Sequence, residues 1–324
     1  MNKRFPRPAL AAIALAASVA AGAQDAPDEA QAPTTASAIK VVFVIAFENH
    51  DANEIYGNTK DAPYINNTLI PAYAHTTNFA DELPSLESEP HYVWMEAGTN
   101  AFSDHTFKGD GDATSGNSTS STAHLVTQIK NATNGVSWMA YQEGITSSTG
   151  TCPISSSGHY AAKHDPFVFF RDVSGNPPSK TNSYCTAHHK DYSKLAADLA
   201  NHTVSTFNFI TPNLCNDMHG DSGCPNKNEI NSGDEWLKAN LPAIISYANA
   251  NAGAIFLTWD EGDGTKKMPF IAIGPHTKPG YSNKIKYTHS SQLKSIERIL
   301  GLPVLSTVSG DTDFTDLFVD GFFP

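Results

Sequence analysis

Residues 39–51 read IKVVFVIAFENHD, a nearly unbroken apolar run followed by four polar residues. Such a run predicts a central strand that is buried on both faces, because a half-exposed strand alternates between apolar and polar side chains. In open α/β sheets, ligands bind beside the carboxyl ends of the strands, which is where Glu48 and Asn49 would lie. This stretch therefore predicts both the centre of a sheet and one wall of a ligand site.

Further apolar runs alternate with helical patterns along the chain. The predicted strands cover residues 74–80, 136–141, 204–210, 254–259 and 268–273. The predicted helices cover residues 122–130, 190–201, 234–250 and 290–300. Pro242 is expected to kink the third of these helices or to split it in two. The alternation predicts an α/β fold with a mostly parallel central sheet covered by helices on both faces.

A further helix is predicted from Ser88 to Gly98, with Ser88 as its N-cap, Pro90 near its first position and Gly98 as its end. A hydroxyl at the positive end of a helix suits a nucleophile that attacks an anionic phosphate or sulfate. The alternative is that Ser88 serves only as the helix cap.

The chain start has the charged, apolar and small-residue order of a secretory signal peptide. We interpret residues 1–23 as that signal peptide, residues 24–38 as a disordered leader and residues 39–324 as a single domain. The apolar run from Ala9 to Ala21 is too short and too rich in alanine for a stable membrane span. The protein is therefore expected to be exported, to the periplasm or the extracellular space, with no stable membrane insertion.

The formal net charge is −12 at pH 7, and loss of Lys3, Arg4 and Arg7 with the signal peptide would make the chain more acidic still. This balance argues against nucleic acid or an anionic membrane as a partner. An anionic substrate would need a local cation to offset the field, and this points to a metal ion.

The sequence contains four cysteines, Cys152, Cys185, Cys215 and Cys224. An even number in an exported protein suggests two disulfides, for which three pairings are possible. The preferred pairing joins Cys215 to Cys224 and Cys152 to Cys185, since it minimises loop length. The spacing fits no zinc ribbon, and zinc held by thiolates is not expected.

Three polar clusters follow predicted parallel strands: Glu48-Asn49, Asp217 with His219, and Asp260-Glu261. The carboxyl ends of parallel strands share one edge of a sheet, so the clusters can converge with Ser88. Carboxylates together with imidazole and hydroxyl groups make an oxygen-rich site for a divalent cation. Each cluster alone also has an ordinary structural explanation, such as a turn or a helix cap.

Several short motifs occur in an order that resembles the phosphoesterase family of acid phosphatases and bacterial phospholipases C, which is related to the alkaline phosphatase superfamily. The motifs are Glu48-Asn49-His50, Ser88-Glu89-Pro90-His91-Tyr92, AAKHDPF at 161–167, Thr211-Pro212-Asn213 with Asn216-Asp217-x-His219, Trp259-Asp260-Glu261 and Thr288-His289-Ser290. The resemblance covers roughly residues 40–302. It implies an alkaline-phosphatase-like fold and a hydrolase of phosphoric ester bonds. The Ser-x-Pro-x-Tyr form looks more like the acid phosphatases than the larger phospholipases.

The resemblance also implies a role for each matched residue. Ser88 matches the nucleophile, while His219 and His164 match histidines that bind phosphate or protonate the leaving group. Phosphate binding is assigned to Asn49, His91 and His289, although His91 stands where many relatives have Asn. The implied ligands of a divalent metal ion, of open identity and number, are Glu48, Ser88, Asp217, Asp260 and Glu261.

Together these observations predict a secreted, metal-dependent phosphatase that hydrolyses phosphate monoesters of small molecules through a phosphoserine intermediate. The alternatives are a phosphodiesterase or phospholipase C and, in another class, a non-catalytic secreted binding protein. The sequence does not indicate an oligomeric state. His188 and His189 are predicted to lie at the surface, because adjacent residues of a helix point apart.

Overall fold

Eight strands form one sheet in the computed structural model, which describes residue 1 and residues 38–145, 150–264 and 266–324. In chain order the strands are β1 (Val41–Phe47), β2 (Ala74–Ala80), β3 (Trp138–Gln142), β4 (His189–Asp191), β5 (Phe207–Thr211), β6 (Gly253–Trp259), β7 (Lys267–Ile273) and β8 (Ser282–Asn283). Their order across the sheet is β4-β3-β5-β1-β6-β7-β2-β8. Five of the seven neighbouring pairs are parallel, and β7 runs antiparallel to both β6 and β2. The predicted mostly parallel sheet is confirmed.

Most helices of the described chain come between these strands in sequence, and the last helix follows β8. They are α1 (Ala52–Ile55), α2 (Ile70–Ala72), α3 (Ser88–Ala97), α4 (Leu125–Asn131), α5 (Arg171–Ser174), α6 (Ser183–His188), α7 (Leu195–Ala200), α8 (Glu229–Ala250) and α9 (His289–Leu300). A π-helical turn covers Ile65–Leu69, and 3₁₀ turns cover Ala162–His164, Pro166–Phe169, Tyr192–Lys194 and Phe314–Leu317.

Strand β1 lies at the centre of the sheet, between β5 and β6. Val44 pairs with Phe209 on one side and with Phe256 on the other. All seven residues of β1 and all seven of β6 are buried. A strand buried at every position is covered on both faces, as its continuous apolar sequence predicts.

Helix α3 ends where the sequence predicts, because Gly98 adopts the left-handed conformation with a φ of 64°. A Cβ atom at that position would lie only 2.3 Å from Cγ1 of Val308, so packing also favours glycine there. The start of α3 differs from the prediction, since the N-cap is Glu87 and Ser88 is the first helical residue. The hydroxyl of Ser88 makes a different contact, described below.

Two predicted helices differ in detail from those observed. Residues 190–201 do not form one helix, because Lys190 and its neighbours pair with β3 as strand β4 before α7 begins. Helix α8 is continuous over 22 residues and contains Pro242, so the predicted split is wrong, while the alternative of a kink stays a prediction. Buried side chains on both sides of the proline, including Leu237 and Ile244, hold the helix together despite the missing backbone donor.

His189 is another correction to the sequence prediction. It is buried rather than exposed, and its Nε2 atom lies 3.1 Å from Oδ2 of Asp165. The residue belongs to β4, where its side chain faces the interior beside Trp138. The prediction of an exposed His189 is wrong because it treats residues 188–189 as part of a helix.

Both predicted disulfides are confirmed, Cys152 with Cys185 and Cys215 with Cys224. No helix within the described ranges is both long enough and apolar enough to cross a membrane. The predicted signal peptide and nearly all of the predicted leader lie outside the described residues, so the domain boundaries stay predictions.

Candidate active site

Neighbouring strands bring three carboxylates to one edge of the sheet. Glu48 directly follows β1, Asp260 directly follows β6, and Asp217 lies in the loop after β5. The backbone N–H of Glu48 donates to the carbonyl of Asp217 at 2.8 Å, and that of Asp260 donates to the carbonyl of Phe47 at 3.0 Å. These bonds continue the sheet pairing past the strand ends, and all three carboxylates are fully buried.

The hydroxyl of Ser88 lies against this group. It donates to Oε2 of Glu48 at 3.0 Å and lies 3.4 Å from Oε1 of Glu261. Tyr92, one turn further along α3, donates to Oε1 of Glu48 at 2.6 Å. Helix α3 is thus tied to the end of β1 by two side chains. The Ser88 hydroxyl points at carboxylates instead of capping the helix.

His164 completes a first donor group, by which we mean a group of side chains whose atoms could donate lone pairs to a metal ion. Its Nε2 lies 3.2 Å from Oε1 of Glu48, and its Nδ1 lies 3.4 Å from Oδ2 of Asp217. One ligand atom from each residue lies within 4.8 Å of the others. Within the described chain, Nε2 of His164 and Oδ2 of Asp217 are buried without a partner in hydrogen-bond geometry. Buried polar atoms are rarely left unpaired, and this set of nitrogen and oxygen donors suits a divalent cation.

His91, Asp260 and Glu261 form a second group, with one ligand atom each within 4.8 Å of the others. Oδ2 of Asp260 is a further buried atom that makes no hydrogen bond among the described residues. The Ser88 hydroxyl contacts Glu48 of the first group and Glu261 of the second. It therefore lies between the two groups.

The ring of His91 is held on both sides. Its Nε2 lies 3.0 Å from Oδ1 of Asp81, and its Nδ1 lies 2.8 Å from the carbonyl of Glu87. Both nitrogens are therefore engaged, and a direct contact of His91 with phosphate would require one of these bonds to break.

Asn49 and His289 also face the carboxylates or their backbone. With its amide oriented to satisfy both neighbours, the Asn49 side-chain nitrogen lies 3.1 Å from Oε2 of Glu48 and 3.2 Å from Oδ1 of Asp260. Nε2 of His289 donates to the carbonyl of Trp259 at 2.9 Å, and its buried Nδ1 makes no hydrogen bond in the described chain. Both residues thus lie at the site, although each already makes contacts with protein atoms.

His219 is the more accessible of the two histidines predicted to be catalytic. Its Nδ1 donates to the carbonyl of Gly220 at 2.7 Å, so Nε2 is the nitrogen directed elsewhere. The rings of His219 and His164 lie 6.0 Å apart. The predicted site residues therefore all lie around one edge of the sheet.

Burial has a strong effect on the acidic groups. Burial and then the neighbouring carboxylates raise the pKa of Glu48, Asp217 and Asp260 well above the usual range. The same two causes raise the pKa of Glu261 to about 7. Burial thus disfavours the charged form of each carboxyl group, whereas a bound cation would favour it.

The histidines are shifted in opposite directions. Burial lowers the pKa of His164 well below its usual range, so this ring is neutral and can offer a lone pair. Burial also disfavours the charged form of His91, but the hydrogen bond that its Nε2 donates to Asp81 and the charge of Asp260 outweigh it and raise its pKa to about 9. His91 therefore carries a positive charge beside Asp260 and Glu261.

We expect the metal-free protein to lose stability as the pH rises from 6.5 to 8.5. Burial raises the pKa of Glu261 to about 7 and that of Glu89 to about 8, above the values near 4.5 of an unfolded chain. Between those values the folded state binds more protons than the unfolded state, so rising pH lowers the free energy of unfolding, by about 2–3 kcal/mol for these two groups. A thermal melt in chelator should show a Tm roughly 5 °C lower at the higher pH.

The double variant Glu89→Gln/Glu261→Gln is the matched control for this melt, because it removes two of the groups that titrate in this range and should reduce the pH dependence by their share. A Tm that stays constant or rises between the two pH values in the parent chain would contradict the assignment.

Two residues of the site were not predicted from the sequence. Tyr92 is four positions after Ser88 on α3, and this helical spacing is a signal that could have identified it. Lys163 precedes His164, and its charge acts on Glu48 and Asp260. Its position in a short turn with no periodic pattern offered no comparable signal.

Comparison with known proteins identifies related chains. The model of the phosphoesterase family matches residues 84–303. The phosphatidylinositol-3-phosphatase of Mycobacterium tuberculosis is 30% identical over 282 residues, which cover 86% of this chain and 83% of that protein. A probable acid phosphatase of Kluyveromyces lactis is 28% identical over 57% of this chain and 44% of its own length. An acid phosphatase of Aspergillus fumigatus is 26% identical over 58% and 44%, respectively. The chain thus spans less than half the length of these fungal acid phosphatases.

Solved structures share the fold at low sequence identity. The phosphonate monoester hydrolase of Silicibacter pomeroyi superposes with a TM-score of 0.54 at 11% identity, over 86% of this chain and 76% of that chain. Murine ectonucleotide pyrophosphatase/phosphodiesterase 5 gives a TM-score of 0.54 at 11% identity, over 87% and 100%. The predicted alkaline-phosphatase-like fold is confirmed.

Proposed function

Because this chain belongs to the phosphoesterase family of hydrolases acting on phosphoric ester bonds, we propose that it is an exported, metal-dependent phosphomonoesterase that acts through Ser88. One observation carries the proposal. The Ser88 hydroxyl lies between two groups of largely buried side chains that offer metal-ligand atoms at the carboxyl edge of the sheet.

The donor atoms fit a divalent cation. The residues proposed to hold it, together with Oγ of Ser88, are Glu48, Asp217, Asp260 and Glu261, and the neutral ring of His164 adds a nitrogen ligand. When bound, such an ion would lower the pKa of the serine hydroxyl and offset the charge of the phosphate. These ligands come from both groups, and metal analysis of the purified protein would count the bound ions.

The proposed first step is an in-line attack of the Ser88 oxygen on phosphorus. Oε2 of Glu48 already accepts the hydrogen bond of the hydroxyl and is positioned to take its proton. The Oγ–P bond forms as the P–O bond to the alcohol breaks, which leaves a phosphoserine and the departing alcohol. Water then attacks the phosphoserine, and free phosphate leaves with Ser88 restored.

We assign protonation of the leaving alcohol to His219 rather than to His164. His164 is buried between Glu48 and Asp217 and is neutral, because burial lowers its pKa, so it lacks the acidic proton of an imidazolium. Nε2 of His219 is directed away from its own backbone contact and can carry the proton. The dependence of the rate on the pKa of the leaving alcohol, measured in the parent and in His219→Gln, checks this role.

Hydrolysis of p-nitrophenyl phosphate against bis-p-nitrophenyl phosphate tests the proposed function. We expect a kcat/KM for the monoester at least about tenfold above that for the diester, since the monoester carries the larger charge toward the cations of the site. The reverse preference would identify a phosphodiesterase. Turnover of neither ester with any divalent cation would favour a binding protein.

The two disulfides support export, because such bonds persist in oxidising compartments. Fractionation of the producing cells would show whether the protein resides in the periplasm or outside the cell. In either compartment the substrate would be a phosphate ester that meets the enzyme outside the cytoplasm.

A phosphorylated inositol lipid is the second candidate substrate. The relative named phosphatidylinositol-3-phosphatase matches most of both chains, and this match favours the idea. The net charge of −12 opposes docking on an anionic membrane, so we rank soluble monoesters first. Comparing phosphatidylinositol 3-phosphate in vesicles with its short-chain soluble form distinguishes the two substrates.

A further inference from the structure

We propose that Lys163 binds a phosphate oxygen in this site and selects monoesters over diesters. The inference rests on the proposed phosphatase function and specifies the charge class of its substrate. It depends on the position of the lysine, on the charges around it and on the number of charged oxygens in each ester.

Lys163 lies close to the nucleophile. Its Nζ donates to Oδ2 of Asp110, and Oδ1 of the same carboxylate accepts from the backbone N–H of Glu89 at 3.0 Å. Glu89 is the residue after Ser88 in α3. The carboxylate of Asp110 therefore links the ammonium group of Lys163 to the backbone N–H of Glu89, the residue after the nucleophile.

Lys163 also reaches toward the donor groups. It directly precedes His164, whose ring contacts Glu48 and Asp217. The charge of Lys163 acts on the carboxyl groups of both Glu48 and Asp217. The ammonium group is therefore bound next to the start of α3 and is close enough to the first donor group for its charge to act there.

The ammonium group has capacity for a further contact. It carries three N–H donors, of which Asp110 accepts one. The Lys163 side chain is 18% exposed, so it is accessible without being fully hydrated. His91 is the other positive group at the site, but both of its ring nitrogens already contact Asp81 or Glu87.

Monoesters and diesters differ in what they present to such a group. A dianionic monoester has three non-bridging oxygens, which lie around phosphorus during an in-line attack, whereas a diester has two and a smaller charge. The second ester oxygen of a diester takes one of the three places and brings a substituent with it. A fixed positive charge therefore stabilises the monoester more, both because Coulomb energy scales with charge and because all three places hold charged oxygens.

The test compares Lys163→Met with Lys163→Arg on p-nitrophenyl phosphate and bis-p-nitrophenyl phosphate. The neutral variant should lose about 100-fold in kcat/KM for the monoester and at most about tenfold for the diester, as expected when one charged donor is removed from a phosphate site. The arginine variant should keep most of the preference. Lys238→Met, which removes an exposed lysine of α8, controls for the change in net charge.

Asp110→Asn separates binding from a structural role of the Lys163–Asp110 pair. If the lysine acts on substrate, this variant keeps the monoester-to-diester ratio of the parent within about threefold, whatever its absolute rate. Equal losses on both esters in Lys163→Met, or the same fall in the ratio in Asp110→Asn, would overturn the proposal.

Calorimetric binding of inorganic phosphate to the metal-loaded protein provides a readout without turnover. Lys163→Met should weaken phosphate binding at least about tenfold relative to the parent and to Lys238→Met. An unchanged affinity would overturn the role of Lys163, whatever the enzyme assays show. If the parent hydrolyses neither ester but Lys163→Met still binds phosphate more weakly, the result counts against the phosphatase function alone.

Discussion

Replacing Ser88 with Ala should lower kcat/KM for p-nitrophenyl phosphate by at least about 10⁴-fold, since a covalent nucleophile has no substitute once its oxygen is removed. The variant should still fold, because Tyr92 continues to tie α3 to Glu48. A thermal melt and metal analysis of the variant, beside the activity assay, separate lost chemistry from lost structure.

Ser306→Ala is the matched control, as it removes an exposed hydroxyl outside the site. Acid quenching of the parent during turnover of a phosphate-labelled substrate should trap label on the protein, and Ser88→Ala should trap none. Full activity in Ser88→Ala would exclude the proposed mechanism.

Removing divalent cations should reduce the activity of the parent by at least about 10³-fold, because nothing would then lower the pKa of the serine hydroxyl or offset the charge of the phosphate. Adding a divalent cation back should restore it. In Asp260→Asn, cation concentrations that saturate the parent should not restore activity. This variant lacks the carboxylate of Asp260, whose Oδ2 makes no hydrogen bond among the described residues. The measurement is activity against free cation concentration, with bound metal determined in parallel.

Asp320→Asn provides the control for this series, because it removes one exposed carboxylate and makes the same change in net charge. It should follow the cation dependence of the parent. Full activity in a chelated sample that contains no bound metal would rule out the proposed cation dependence.

The elements that the sequence predicted well are those whose burial leaves a pattern. Strands β1 and β6 are continuous apolar runs because both of their faces are covered, and the residue after each strand is an acidic group of the site. Since neighbouring parallel strands end at one edge, Glu48 and Asp260 could be placed together from the sequence alone.

Other features depend on contacts between distant parts of the chain. The partner of the Ser88 hydroxyl is Glu48, forty positions away, so the hydroxyl could not be distinguished from a helix cap by local pattern. Pairing with β3 turned residues 189–191 from a helix start into a strand and buried His189. The bond between Lys163 and Asp110 joins two irregular segments that carry no periodic signal.

The shorter disulfide has a consequence for how the site is made. Cys215 and Cys224 are nine positions apart, and the ring that they close contains both Asp217 and His219. A covalent ring limits the conformations of the unfolded chain, so part of the ordering of these two residues precedes folding. Oxidation of this pair is therefore expected to favour ordering of the site itself. In a chain whose cysteines remained reduced, only non-covalent contacts would order Asp217 and His219.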